Sequence, residues 1–296
     1  MEILHYPVLH ESVLEYLALS TDEDAVMIDC TTGEGGHSNL FLERFPRLHV
    51  IGIDRDEEIQ KKAIERLSVY PGRFKAVNAW FDDYLRNAES ESADRILFDL
   101  GISIFHYEES RRGFSFRKDE PLDMRLNKNA SLSAAHIVNS YSEEDLADLI
   151  YRYGEERYSR RIARAFVERR KLEPIKTSKE AEDIIFHAVP KEYRYGRINP
   201  ATRTFQALRI EVNGELDRIR PSLLEAIRVL KRGGRIGVIT FHSLEDRIVK
   251  WTFKDEEAKE NPQIRIITKK PVIPTAEEEK ENAPSRSAKL RVVEKI

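Results

Sequence analysis

Three glycines and two aspartates are the residues of this chain best placed, by type and spacing, to do chemistry. Gly33, Gly35 and Gly36 crowd the stretch DCTTGEGGHSN (residues 29–39), directly after the apolar run VMID. Glycine lets a backbone approach a ligand closely, and at a strand-to-helix junction unpaired N–H groups converge on that ligand. No Lys-Ser or Lys-Thr pair follows, which sets aside a triphosphate-gripping loop. The dinucleotide pattern GxGxxG would need glycine at position 38, where the chain has Ser38, and this weakens a pyrophosphate reading. Asp54 lies about 19 residues beyond Gly35, at the end of the next apolar run, where a carboxylate accepts both hydroxyls of a ribose. Together these residues indicate an adenosine-type cofactor, and without a pyrophosphate grip S-adenosylmethionine leads. An ordinary tight turn with a solvated aspartate is the alternative.

Asp99 closes a further apolar run, in FDLGIS (98–103). In an open parallel sheet the ligand crevice lies beyond the carboxyl ends of the strands, so Asp99 is expected at the same site. There it would orient the cofactor or accept a proton from substrate; a turn or helix-capping aspartate is its plainer role. TFHSLEDR (240–247) places His242, Ser243, Glu245 and Asp246 at the end of another run. They are sequence neighbours with no G-x-S-x-G elbow, which argues against a hydrolytic triad, and no metal site is expected there. Cys30, the single cysteine, can form neither an internal disulfide nor a cysteine metal cluster. It reads as a packed small residue in a reducing compartment.

These residues need a sheet to hold them. AVMIDC (25–30), HVIGID (49–54), FKAVNAWFDD (74–83) and DRILFDLG (94–101) read as strands, alternating with helices at 38–45 and 57–70. The rhythm predicts an α/β fold, a doubly wound and mostly parallel sheet. From about Glu108 to Val212 helical stretches such as 142–154 and 158–171 replace it, predicting an inserted all-helical domain. The expected division is therefore 1–107 with 213–296, and 108–212. A helix over 215–234 ending at a glycine pair, a strand RIGVITF (235–241) and strands at 264–273 and 288–296 follow; TAEEEKEN (275–282) reads as a solvated acidic loop.

With 41% hydrophobic residues, 296 positions are enough for a sizeable core, so global disorder is set aside. The apolar runs are strand-length, far short of a membrane span, and a cytosolic protein is expected. The net charge of −3 does not announce a nucleic-acid partner. Residues 151–209, however, hold about 15 Lys and Arg against about 8 Asp and Glu, a local excess that the sum hides.

Quoted in order, HYPVL (5–9), DCTTGEGGHS, GIDRD (52–56), DLGIS (99–103), RRGFSF with PLDMR (111–125), YGEE (153–156), RRIAR (160–164), NPATRTFQALRIEVNGEL (199–216), GGRIGVITFHSLEDRIVK (233–250) and SRSAKLR (285–291) run nearly end to end. The chain resembles the bacterial 16S ribosomal RNA cytosine-N4 methyltransferases, S-adenosylmethionine-dependent enzymes acting on the decoding centre. The resemblance implies a class I methyltransferase, Rossmann-like domain interrupted by a helical domain that helps form the RNA cleft. It also implies cofactor contacts at Gly33, Gly35, Gly36, His37, Asp54, Phe81, Asp99 and His106, with Asp99 catalytic. Substrate contacts would fall on Arg125, Arg203, Gln206, His242, Ser243, Arg286 and Lys289. His106 stands where the family usually has Gln, Ser103-Ile104-Phe105 where it has Ser-Ser-Pro, and Asn199 where it has His.

The implied partner is 16S ribosomal RNA within the small subunit, with a homodimer left open. The target base must leave its stack to be methylated, and Phe105, Tyr107, Phe114 and Phe116 are aromatic candidates for receiving it, with packing in the core the equal alternative for each. Phosphate contacts are expected from Arg203, Arg286 and Lys289 and from the run Arg157, Arg160, Arg161 and Arg164, for which an ordinary solvated helix face is the alternative. Two rivals stand beside this reading. One is a DNA amino-methyltransferase, whose usual D/N/S-P-P-Y/F motif is replaced here by DLGIS; the other is an RNA-binding assembly factor that holds the cofactor structurally.

Overall fold

The computed structural model describes residues 7–296, so His5 and Tyr6 of the HYPVL motif lie outside the described residues. By its contacts the chain divides into two compact units, 1–102 with 216–296, and 103–215. The first unit opens with helix α1 (His10–Tyr16) and strand β1 (Ala25–Asp29). It continues through α2 (Gly36–Arg44), β2 (Leu48–Asp54), α3 (Glu57–Leu67), β3 (Phe74–Asn78), α4 (Phe81–Asn87) and β4 (Ala93–Asp99). The second unit holds α5 (Ile104–Glu108), α6 (Ala134–Ser140), α7 (Glu143–Gly154), α8 (Ser159–Arg170), α9 (Ser178–Ala188), α10 (Lys191–Arg194) and α11 (Ala201–Asn213). After it come α12 (Glu215–Val229), β5 (Leu230–Thr240), α13 (Ser243–Glu257), β6 (Ile264–Ile266), α14 (Ala276–Glu281) and β7 (Lys289–Lys295).

The strands pair in the order β3-β2-β1-β4-β5-β7-β6. The first five are mutually parallel, while β7 runs antiparallel to both β5 and β6. This is the doubly wound, mostly parallel, Rossmann-like sheet expected from the sequence. Side chains alternate across a strand, so a sheet covered on both faces needs two separate cores. Ile28, Ile96, Phe98 and Val293 pack on one face against Leu223 of α12 and Phe253 of α13. Met27, Leu97 and Val292 pack on the other against Val13 of α1 and Phe41 of α2. Neighbouring residues of one strand thus serve opposite layers, which is why these strands read as continuous apolar runs.

Several boundaries differ from the sequence reading. The strand expected over 74–83 stops at Asn78, and Phe81 opens a helix whose first turn carries Asp82 and Asp83. Acids favour a helix start, where they meet the positive end of the dipole. The helix expected to reach Gly234 ends at Val229, because Leu230 already pairs with Ala93, and the Gly233-Gly234 pair lies in a register shift of β5. The strand expected over 264–273 covers only Ile264–Ile266, with an isolated bridge from Val272 to Leu290. The acidic stretch 275–282 is not a loop: Thr275 accepts the Glu278 N–H and starts α14.

The second unit is helical apart from an isolated bridge between Pro121 and Thr177. Leu146, Leu149 and Ile150 of α7 line one buried face, packed with Ile162 and Phe166 of α8 and Ala207 and Leu208 of α11 all inaccessible to solvent. At Gly154 an added methyl would stand 2.6 Å from the Arg203 carbonyl oxygen, so the end of α7 meets the α11 backbone directly. Among the described residues no helix is long and apolar enough to cross a membrane.

Candidate active site

Because β1 to β5 are parallel, Asp29, Asp54, Asn78, Asp99 and Thr240 end their strands at one edge of the sheet. Strand order reverses between β1 and β4, and loops diverging from such a point leave a crevice between them. The glycine stretch after β1 and the turn after β4 flank it. Asp54 organises the first of these: its Oδ2 accepts the Gly33 N–H at 2.9 Å and its Oδ1 accepts the Asp56 N–H at 2.8 Å. Gly33 is left-handed (φ 53°), and the nearest atom to an added methyl is 3.8 Å away, so its backbone stays open to approach. Gly35, also left-handed at φ 79°, caps α2, where an added methyl would meet Leu67 at 3.0 Å. Gly36 faces Pro7. Of the three, Gly35 and Gly36 are held by packing and Gly33 leaves room for a ligand.

Beneath the loop lies a polar cluster. Asp29 is buried and accepts the Ser38 hydroxyl at 2.7 Å; burial raises its carboxyl above the usual range, against the lowering effect of Ser38. Thr31 Oγ1 accepts the Asp99 N–H at 2.6 Å. His37 Nε2 stands 3.5 Å from Asp99 Oδ2, within ion-pair range but long for a hydrogen bond. Neither ring nitrogen of buried His37, nor Asp99 Oδ1, has a hydrogen-bond partner among the described residues. Buried polar atoms are almost always paired, so these three mark where a bound molecule would supply partners. Asp29, Thr31 and Ser38 were signalled in the sequence only by their polarity within the glycine stretch.

Phe81 opens α4 with its ring edge-on to Phe98, centroids 5.6 Å apart. At the end of β5, His242 caps α13: its Nδ1 accepts the Glu245 N–H at 3.4 Å, while Glu245 accepts the N–H groups of Phe241 and His242. Ser243 is exposed at the first helical position. Lys289 lies 3.5 Å from Asp246, a carboxylate that Arg291 also holds through hydrogen bonds of 2.7 and 3.1 Å. Arg286 is exposed in a 3-10 turn, Ala283–Ser287.

In the helical unit His106 is buried in α5 between the edges of Phe105 and Phe114. Phe105 and Phe114 are themselves core residues, the alternative that the sequence left open for them; Phe116 packs on Phe205, and Tyr107 is the exposed one of the four. Arg125 donates to both oxygens of Asp123 (2.7 and 2.8 Å) and to the carbonyls of Lys128 and Ala130, so it orders its own loop. Arg203 donates to the Glu155 carbonyl and Gln206 to that of Tyr153, each at 2.9 Å, tying α11 to the end of α7.

Comparison with known proteins places this geometry. A ribosomal RNA small subunit methyltransferase H of Treponema denticola is 52% identical over 312 residues, covering 100% of this chain and 98% of the relative. Proteins of the same name from Persephonella marina and Borreliella burgdorferi are 46% and 47% identical, each over 99% of this chain and at least 98% of their own. Residues 2–296 match the profile of the MraW methylase family. By that full-length match, and by the identity of these relatives, the chain belongs to the MraW methylase family.

Proposed function

We propose that this protein transfers a methyl group from S-adenosylmethionine to the exocyclic N4 amine of a cytosine in the decoding region of 16S ribosomal RNA, with the base looped out of its stack and the RNA presented in the small subunit. The observation that carries the reading is the buried Oδ1 of Asp99, without a hydrogen-bond partner among the described residues, beside the strand-order reversal in a chain of the methylase family. The names of the relatives support small-subunit ribosomal RNA as the substrate class.

The residues present fit the cofactor. The Asp54 carboxylate, which accepts the Gly33 and Asp56 N–H groups, closes β2 at the strand-end edge where a ribose would be held. Gly33 leaves its backbone open, and His37 and Asp99 offer polar atoms with no hydrogen-bond partner among the described residues. When bound, S-adenosylmethionine supplies a methyl on a sulfonium, already electrophilic. The cytosine amine is the harder partner, since its lone pair is drawn into the ring; one of its two protons must leave as the N–C bond forms and the C–S bond breaks. Asp99 accepts that proton at Oδ1, and a carbonyl of the turn after β4 is available to accept a hydrogen bond from the N–H that stays. Such assistance contributes about 10²–10⁴-fold, whereas fixing both reactants supplies about 7–11 kcal/mol, so positioning is the larger effect. The Thr31 anchor on Asp99 serves that positioning. Transfer to ring C5 would require a thiolate, and the buried Cys30 thiol is pushed well above its ordinary range by burial, then by Asp29.

The test is incubation with methyl-labelled S-adenosylmethionine and small subunits from cells lacking the modification, followed by mass spectrometry of the nucleosides. N4-methylcytidine at one decoding-region position is expected. Cofactor binding with no label would sink the reading in favour of an assembly factor.

A further inference from the structure

The loop joining α7 to α8 is built around a carboxylate with no solvent exposure. Glu156 accepts the Tyr193 hydroxyl at 2.6 Å through Oε2 and the Tyr158 N–H at 2.8 Å through Oε1. The two tyrosine rings meet edge-to-face with centroids 4.9 Å apart. Burial, and then the bond to Glu156, push Tyr193 up to about 12, so its hydroxyl keeps its proton near neutral pH and the anchor holds. The guanidinium of Arg157 lies 4.8 Å from the centroid of each ring. Arg157 is exposed and makes no ion pair among the described residues, so its N–H groups remain unspent. Arg160 and Arg161 follow in the first turn of α8, which carries no acid, whereas Arg164 is engaged by Glu143 at 3.4 Å. An arginine held flat over aromatic rings loses little rotamer freedom on binding and presents a planar fork matched to a phosphate.

We propose that Arg157, held over Tyr158 and Tyr193 by buried Glu156, is a pre-oriented clamp for a phosphate of the RNA strand, with Arg160 and Arg161 extending the contact along the backbone. This rests on the reading of the substrate as RNA. Glu156 and Tyr193 are positioning residues in it, acting through Arg157. The four arginines expected from the sequence as one basic run thereby separate: Arg157 is stacked on both rings, Arg161 stands 6.0 Å from the Tyr158 centroid, Arg160 is exposed beside them, and Arg164 is occupied within the unit.

The experiment titrates the full-length protein against short fluorescein-labelled single-stranded RNAs of several sequences, over a range of salt, and measures methyl transfer to small subunits in parallel. Arg157→Ala is expected to weaken RNA binding about tenfold, alike for every sequence, and to lower the slope of log K against log salt by about one. Methyl transfer should lose in KM and keep its kcat. Tyr193→Phe should weaken RNA binding in the wild-type background and add nothing to Arg157→Ala. Unchanged affinity and salt slope in Arg157→Ala would overturn the proposal, as would a loss confined to one RNA sequence, or additive effects of the two substitutions. S-adenosylmethionine affinity and the thermal midpoint report whether each variant is folded. RNA affinity is read directly, so a wild-type protein that binds RNA without methylating it would remove the functional reading and leave the Arg157 result standing.

Discussion

The hydroxyl of Thr31 accepts the backbone N–H of Asp99 at 2.6 Å, tying the loop after β1 to the end of β4 across the point where strand order reverses. Thr31→Val keeps the shape and removes the acceptor, leaving the Asp99 N–H short of a partner at a cost of about 1–3 kcal/mol. A lower thermal midpoint and a fall in kcat are expected, with Thr31→Ser restoring both. Full turnover in Thr31→Val would show that Asp99 is positioned without this bond.

Asp99 itself gives the sharper test. Asp99→Asn keeps the volume but replaces the acceptor at one oxygen by a donor, and Asp99→Ala removes both. Turnover should fall by roughly 10²–10⁴-fold in either, the range of general-base assistance. Calorimetry with S-adenosylmethionine separates the two possible roles: retained affinity with lost turnover assigns proton acceptance, and lost affinity assigns cofactor binding. Undiminished turnover removes Asp99 from the mechanism.

Acid should weaken the sheet unit through Asp246 and Glu294. Burial works to raise both carboxyls, but Arg291 and Lys289 at Asp246, and Arg235 and Arg265 at Glu294, hold them below their ordinary values of 3.8 and 4.5. A folded-state pKa below the unfolded one gives stability that is complete well above the unfolded value and is lost as pH falls through the folded one. The thermal midpoint should therefore be steady above about pH 5.5 and drop below about pH 4.5. Asp246→Asn should flatten that acid limb and lower the midpoint at neutral pH; acid limbs of equal steepness would exclude Asp246 as a contributor.

Cys30 is expected to be inert. Buried at the end of β1 with its thiol pushed well above the usual range, it should react with a thiol reagent such as Ellman's only after denaturation. Cys30→Ala should keep methyl transfer, with a modest loss of stability from the small void. Loss of turnover in a folded Cys30→Ala protein would reopen a thiolate route.

The strands β1, β2 and β4 were legible because both faces of each are covered, leaving continuous apolar runs, and Asp54 and Asp99 were legible as the acids that close such runs. The β3–α4 boundary was not, since the aromatic run AWF follows FKAVN with no break before the acids of the next turn. Nor was the reversed direction of β7, which depends on which strand it pairs with rather than on its own composition. Burial of Phe105 and Phe114 likewise depends on packing partners beyond their own segment. The anchor between Glu156 and Tyr193 joins residues 37 apart in sequence, and neither type at that distance predicts a buried pair.

Strand β7 comes after every other strand of the sheet yet lies within it, between β5 and β6, with Leu290, Val292 and Val293 wholly inaccessible. While the chain is being made, β5 presents an open edge of unpaired backbone groups until Lys289–Lys295 has emerged. The sheet must also join segments separated by the whole helical unit, whereas that unit is contiguous and closes on more local contacts. Synthesis order and folding order therefore diverge: the inserted unit is ready first and the sheet that surrounds it in sequence last. Ribosome-arrested chains ending before Lys289 should yield a protease-resistant fragment from within 103–215 while the strands remain labile, and early protection of β1 to β4 would contradict that order.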